Sequence, residues 1–302
     1  MYSDCFEGPL PGDGDPESVG QEDMAPNHDG GSPEATLNAR GCFSLDEVAN
    51  LNTSTSNDLV RPCDIKGILH SHSRYADGAH HLDSMVSTAR EIGLEYLGVS
   101  DHFLTETHTD GLSLDDMMVQ RREIEQLHRK YPGFDILQGV ELDVNPDGSL
   151  PLDDASLSMF DFVIAAFPEN GGYDKETLTD QVVKVAGHPL VTILGRPLGD
   201  CILRRGKLLG MDRVLDAAAA GNTALELNAN PNAVELDWSR CLKAQEMGIY
   251  MAISPDAHRA ARLVDYRHGA ERAQEAGLRC SSILNTLGIQ DLKAHLAHNR
   301  TL

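Results

Sequence analysis

From residue 65 onward, short apolar runs alternate with longer stretches whose apolar positions recur at helical spacing. The runs predict strands over 65–70, 95–100, 134–140, 161–166, 190–194, 223–228 and 249–254. Between them the pattern predicts helices over 81–93, 114–131, 174–187, 211–220, 237–247 and 258–276. In the first helix Leu82, Met85, Val86, Ala89 and Ile92 share one face, and Gly93 ends it. The second stops before Pro132, and Asn145-Pro146-Asp147-Gly148 marks a turn after the third strand. Strands separated by helices pair in parallel, because a parallel neighbour needs a crossover. Their mostly apolar character fits strands covered on both faces. Seven such units predict an α/β fold with a closed or nearly closed barrel.

The ends of these runs carry the chemistry. The first finishes in His70-Ser71-His72, the second in Asp101-His102, the third in Glu141, and the last in Pro255-Asp256-Ala257-His258. Histidines at i and i+2 of an extended segment point to the same side. Neutral imidazoles are common ligands for zinc, iron and similar ions. In a barrel of parallel strands the carboxyl ends converge on one face. Four strand ends bearing His, Asp or Glu therefore predict one shared site for several metal ions. A barrel fits this better than an open sheet, where only strands at the switch point would meet.

Composition adds domain limits and excludes some partners. Hydrophobic residues make up 41%, enough for a substantial core. The net charge is −22, and residues 1–60 carry half of it with twelve acids against one base, Arg40. That segment is also rich in Gly, Pro, Ser and Asn, so it buries too little apolar surface to offset its ordering entropy. Residues 1–60 are expected to be largely disordered, above all 1–40, with one short helix near Ser44–Val48 carrying a Ser44/Glu47 capping box. The folded domain is expected over 61–302.

The start lacks the basic and apolar regions of a signal peptide, and no run of about 18 apolar residues predicts a membrane span. The six cysteines show no CxxC spacing and read as reduced thiols of a cytoplasmic protein, with Cys63 a buried structural one. The acidic balance argues against strong duplex-DNA binding. Arg121-Arg122 and His128-Arg129-Lys130 read as a solvated helix face, and Arg204, Arg205 and Lys207 as loop residues able to meet phosphates.

Taken in order, Gly67-Ile68-Leu69-His70-Ser71-His72-Ser73, Asp77-Gly78, Ser100-Asp101-His102, Gly139-Val140-Glu141-Leu142-Asp143 and Ser254-Pro255-Asp256-Ala257-His258 resemble the PHP (polymerase and histidinol phosphatase) superfamily. Leu225-Glu226-Leu227-Asn228-Ala229-Asn230-Pro231 is similar to one branch, the C-terminal PHP domain of bacterial family X DNA polymerases. The resemblance covers about residues 60–295. It implies a distorted (β/α)7 TIM-like barrel with the metal site at the carboxyl ends of the strands. It further implies zinc, manganese or iron as cofactors and hydrolysis of phosphate esters, including phosphomonoesterase and 3′-exonuclease chemistry.

By position, His70, His72, Glu141 and Asp256 would hold one ion, and Asp77, His102 and His258 another. Glu141 would bridge the first ion to a second, and with Asp256 it is the candidate catalytic residue that fixes the metals and the attacking water. Asp101 would orient ligands from behind. Sixty residues ahead of the barrel are too few for palm and nucleotide-binding domains, so template-directed synthesis is not expected.

The sequence departs from the family at the remaining ligands of that second ion. Where the fourth and fifth strands of the family end in histidine, this chain has Pro168 and Arg196. Proline offers no side-chain donor, and arginine stays protonated and has no lone pair to give. The expected number of ions is therefore two rather than three. Of the other histidines, His188 should lie at the opposite rim, His80 and His81 start a helix near the site, and His108 follows His102 in its loop.

A guanidinium at the strand end restores positive charge beside Glu141 and offers planar paired donors. Arg196 and Asn228 are accordingly the candidate substrate-binding residues, for a small phosphorylated molecule or a nucleic-acid end. Two functions follow: a phosphoesterase with a degenerate second metal site, or a catalytically impaired barrel that keeps metal for stability or binds a phosphorylated ligand. A histidinol-phosphatase-like small-molecule enzyme is a third, disfavoured by the Asn228–Pro231 segment.

Overall fold

The computed structural model describes residues 58–106, 108–168, 173, 177–196, 210–230 and 238–298. Outside them lie the expected N-terminal disorder, the helix near Ser44–Val48, the first turn of the helix predicted from residue 174, and Arg204, Arg205 and Lys207.

Seven parallel strands pair in chain order: β1 Gly67–Ile68, β2 Tyr96–Val99, β3 Asp135–Asp143, β4 Phe162–Ala166, β5 Ile193–Gly195, β6 Ala224–Asn228 and β7 Met251–Ser254. Most crossovers run through helices: α1 Leu82–Glu91, α2 Leu114–Lys130, α3 Asp154–Leu157, α4 Leu178–Ala186, α5 Met211–Gly221 and α6 Trp238–Glu246. After β7 come α7 Tyr266–Glu275 and α8 Ile289–His298. The alternation read from the sequence is thus a nearly closed (β/α)7 barrel.

Helix boundaries follow local chemistry. Ser113 caps α2 by accepting from Asp116 N, and the Asp116 carboxylate returns to Ser113 N. Gly93 follows α1 at φ 90°, the left-handed conformation that ends a helix at low cost for glycine. The helix predicted over 258–276 divides into a 3₁₀ segment, Ala260–Asp265, and α7. Strand β1 is two residues long instead of six, since only Gly67 and Ile68 pair with β2 in a ladder. Strand β3 instead runs three residues past its predicted end.

The core has an outer and an inner part. Outward residues such as Leu97, Leu194, Leu225 and Ile253 pack on helix faces bearing Met85, Val182, Val214 and Ala270. Inward residues Leu69, Tyr96, Leu137, Phe162, Ile164 and Ile193 fill the barrel and meet Leu284, Leu292 and Leu296. The interior is tight: a Cβ on Gly98 or Gly139 would overlap the Phe162 ring. Gly139→Ala should therefore cost about 1–3 kcal/mol of stability, the usual penalty for overpacking, measured by denaturant unfolding.

Between β7 and β1 there is no strand ladder. At the carboxyl rim, His72 N donates to Ala257 O at 3.0 Å. At the other end a side chain completes the closure. Asn285 is fully buried. Its Oδ1 accepts from Ile253 N at 2.7 Å, while its Nδ2 donates to Gly67 O at 3.0 Å and Ile253 O at 3.1 Å. The amide thus serves as a one-residue strand between β7 and β1.

Two surface expectations need correction. Cys63 is exposed in a 3₁₀ turn ahead of β1, because Pro62–Asp64 lies outside the barrel core. The basic face of α2 is only partly solvated. Arg121 Nε donates to Gln138 at 2.6 Å and His128 Nε2 accepts from Ile136 N, fastening the helix to β3. Among the described residues, no helix is long and apolar enough to cross a membrane.

Candidate metal centre

The first ligand segment is held on both sides. Ser71 Oγ donates to Gly98 O at 2.8 Å and Ser100 N donates to Ser71 O, fixing 70–72 against β2. With Ser71 turned to that neighbour, His70 and His72 are both fully buried and face the same rim. Asp101 accepts from Ser73 N, Ser73 Oγ and Gln120 Nε2. Its role is therefore to anchor the loop after the histidines, with no hydrogen bond to a ligand ring. Burial raises its carboxyl above the usual range, against the pull of His72 and these donors.

Glu141, buried at the same rim, turns Oε2 toward three imidazoles. That oxygen lies 2.9 Å from His70 Nε2, 3.4 Å from His72 Nε2 and 3.5 Å from His102 Nδ1. From the end of β7, Asp256 Oδ1 approaches His72 Nε2 at 3.2 Å and His70 Nε2 at 3.5 Å. Asp256 is held at φ 49°, a strained conformation for a non-glycine residue. His258 Nε2 sits 2.9 Å from Asp77 Oδ2.

Donor atoms of His70, His72 and Glu141 lie within 4.8 Å of one another, and so do those of His72, Asp77, His102 and His258. All seven residues proposed as ligands from the sequence are thus brought to one rim. The structure adds that His72 belongs to both groups, where the sequence order assigned it to one.

The donor set fits a metal. Both ring nitrogens of His72 and Nδ1 of His102 are buried without a well-formed hydrogen bond. Leaving such a group unpaired costs about 1–3 kcal/mol. Imidazole nitrogens and carboxylate oxygens are also the ligand types preferred by zinc, manganese and iron.

Protons couple these groups in the metal-free protein. Burial alone would lower His70, but the carboxylates of Glu141, Glu226 and Asp256 hold it well above its ordinary value. Burial also opposes ionisation of Asp77, Glu141 and Asp256, yet the neighbouring imidazoles keep all three low, Asp77 at about 2. The bond to Asp77 raises His258 to about 9, and burial pushes His102 down to about 4.

The signs give a stability profile. The three depressed carboxyls stabilise fully above their unfolded values near 4, and that contribution is lost as pH falls through the folded ones. His70 and His258 stabilise fully below about 6.5, and lose that contribution as pH rises through their folded values. His102 subtracts on the acid side, since between about 4 and 6.5 it is charged only when unfolded. Chelator-treated protein should therefore show an unfolding midpoint that falls from about pH 6 to about pH 9. A flat profile over that interval would contradict the imidazolium–carboxylate bonds described.

Pro168 and Arg196, where the resemblance implies histidine, sit in different surroundings. Pro168 stands two residues beyond β4, half-buried. Arg196 follows β5 directly at φ 48°, with Nη2 4.0 Å from Glu141 Oε1. Asn228 ends β6, where its Oδ1 accepts from Asn230 N at 2.9 Å.

Among the other histidines, His80 Nδ1 accepts from Ala260 N, a local structural bond. The exposed His81 precedes α1 without a side-chain cap. His188 precedes β5, far along the strand from its carboxyl end, and pairs with Asp154 at 3.4 Å. His108 stacks on His102 with centroids 3.8 Å apart, and its Nδ1 lies 2.5 Å from Asp143 Oδ2.

Glu226 is the residue that sequence reasoning passed over. It is fully buried on β6, with Oε1 2.5 Å from His70 Nδ1 and Oε2 accepting from Arg196 N at 2.9 Å. The available signal was an acid flanked by Leu225 and Leu227 in a strand expected to be covered on both faces.

Imidazoles and carboxylates gathered on the carboxyl rim of a parallel barrel form a donor set able to hold metal ions. The chain belongs to the PHP domain family, whose model matches residues 69–230. It is 33% identical over 247 residues to the DNA polymerase/3′-5′ exonuclease PolX of Bacillus subtilis, matching 82% of this chain and 43% of that protein. The chain thus spans less than half the length of that relative. It is 25% identical to a probable phosphatase of Thermoanaerobacter sp. (strain X514), over 74% of this chain and 91% of the relative. Its fold is similar to that of a histidinol phosphate phosphatase from Lactococcus lactis, solved with zinc, L-histidinol and phosphate. There the TM-score is 0.52 at 21% identity, covering 71% of this chain and 94% of the other.

Proposed function

We propose that the chain hydrolyses phosphomonoesters, on a small molecule or at a nucleic-acid end, with two metal ions and one arginine in place of the three ions that the resemblance implies. The observation that carries this reading is the pair of buried His72 nitrogens, neither in a well-formed hydrogen bond, between Glu141, Asp256, Asp77 and His258. In it His70, His72, Glu141 and Asp256 hold one ion, and Asp77, His102 and His258 hold the other, beside His72. When bound, such ions polarise the phosphoryl group and supply a nucleophile at neutral pH.

The chain's own residues then do the positioning. Glu141 and Asp256 set the water for attack. Arg196 offers planar donors to the phosphoryl oxygens on the side of Glu141 Oε1, where Pro168 and Arg196 themselves supply no ligand for an ion. Asn228 borders the substrate at the end of β6. The net charge of −22 favours a small phosphate or a strand end over an extended duplex.

Metal content by mass spectrometry, followed by a panel of phosphomonoesters, phosphodiesters and single-stranded DNA with zinc or manganese, tests the reading. Expected are about two ions per chain and turnover of a phosphomonoester above a His70→Ala control. No turnover above that control would leave the impaired, ligand-binding barrel in its place.

A further inference from the structure

Glu226 touches neither the rim opening nor solvent, yet it bonds to two of the residues that matter there. A buried carboxylate costs several kcal/mol unless its oxygens are engaged. Both are. Oε1 meets His70 Nδ1 at the end of β1, and Oε2 meets the Arg196 amide at the end of β5. One side chain on β6 therefore ties together the ends of β1 and β5.

Each bond fixes a different property. A carboxylate accepts only, so it selects the form of His70 that carries a proton on Nδ1. That turns Nε2 toward Glu141 Oε2, 2.9 Å away, and toward Asp256. At the other oxygen, Arg196 sits at φ 48°, where an ordinary side chain is strained by its own Cβ. An ionised acceptor on its N–H is a strong bond and helps to hold that conformation. The left-handed turn is what carries the guanidinium back to 4.0 Å from Glu141 Oε1.

We propose that Glu226 is a positioning residue that sets, through its two oxygens, the metal-facing nitrogen of His70 and the aim of Arg196. Glu141 turns one oxygen to the imidazoles that would hold the ion and the other to the guanidinium, in a spacing that Glu226 would govern. This rests on the reading of His70 as a metal ligand and Arg196 as a phosphate contact.

The test uses the full chain, zinc and p-nitrophenyl phosphate. In Glu226→Gln the amide keeps the shape but accepts through only one atom, so it cannot satisfy both N–H groups. Competition with a chromophoric chelator should show zinc held about 10- to 100-fold more weakly than in the wild type. KM for the phosphate should rise, and Arg196→Ala should raise it no further in the Glu226→Gln background. In the wild type, ¹⁵N-histidine spectra should show His70 bound to zinc through Nε2 with Nδ1 protonated, a readout that needs no variant.

Equal zinc affinity in both proteins, additive KM effects, or coordination of His70 through Nδ1 would each overturn the proposal while leaving the hydrolase reading intact. A wild-type chain that takes up neither zinc nor manganese would overturn the reading, and the proposal with it.

Discussion

Glu141→Gln is expected to lower kcat by about 10³-fold, corresponding to about 4 kcal/mol of lost transition-state stabilisation. The side chain is nearly isosteric, so the barrel should stay folded. What changes is charge. Among the described residues, Glu141 Oε2 lies within 3.5 Å of His70, His72 and His102 together, and Oε1 faces Arg196. A neutral amide supplies neither the anionic ligand nor the counter-ion. Metal content should drop with activity, while the unfolding midpoint of the chelator-treated protein shows whether the fold has been spared. Retention of both metal and rate would remove Glu141 from the centre of the site.

Asn285→Ala should have the largest effect on stability, about 3–5 kcal/mol, or a fall in unfolding midpoint of about 10 °C. Three side-chain hydrogen bonds at 2.7–3.1 Å disappear. The loss exceeds their sum in water, because Ile253 N and Gly67 O are left buried without partners. Asn285→Asp is a sharper variant: the carboxylate still accepts from Ile253 N but cannot donate to Gly67 O or Ile253 O. Urea unfolding of both variants checks this, and a change under 1 kcal/mol would mean that water or backbone replaces the amide.

The gathering of the candidate ligands was legible because each closes an apolar run, and parallel strands bring such ends together. His70, His72, His102, Glu141, Asp256 and His258 all follow that rule. Their division into groups was not legible, since His72 reaches Glu141 on one side and His258 on the other only through ring positions in space. Glu226 was hidden because a strand interior shows an acid without its partners, which lie 156 and 30 residues away. Asn285 was hidden for a similar reason: it replaces a strand by a side chain, and hydrophobic periodicity carries no record of that. The extent of β1 was not legible because Leu69 and His70 are as buried as a strand while the β2 ladder stops at Ile68. Helix α8 was passed over although Leu292 and Leu296 show helical spacing and plug the barrel floor.

The missing ladder between β7 and β1 gives the ligands a second significance. His70 and His72 stand on one lip of that seam, and Asp256 and His258 on the other. Apart from the rim bridge at Ala257 and the amide of Asn285, little backbone bonding crosses it among the described residues. An ion shared by His70, His72 and Asp256 would therefore act as a clasp, closing the cylinder where its weave is thinnest. Stripping such an ion should loosen amide protection first in β1 and β7, before the paired strands β2 to β6 respond.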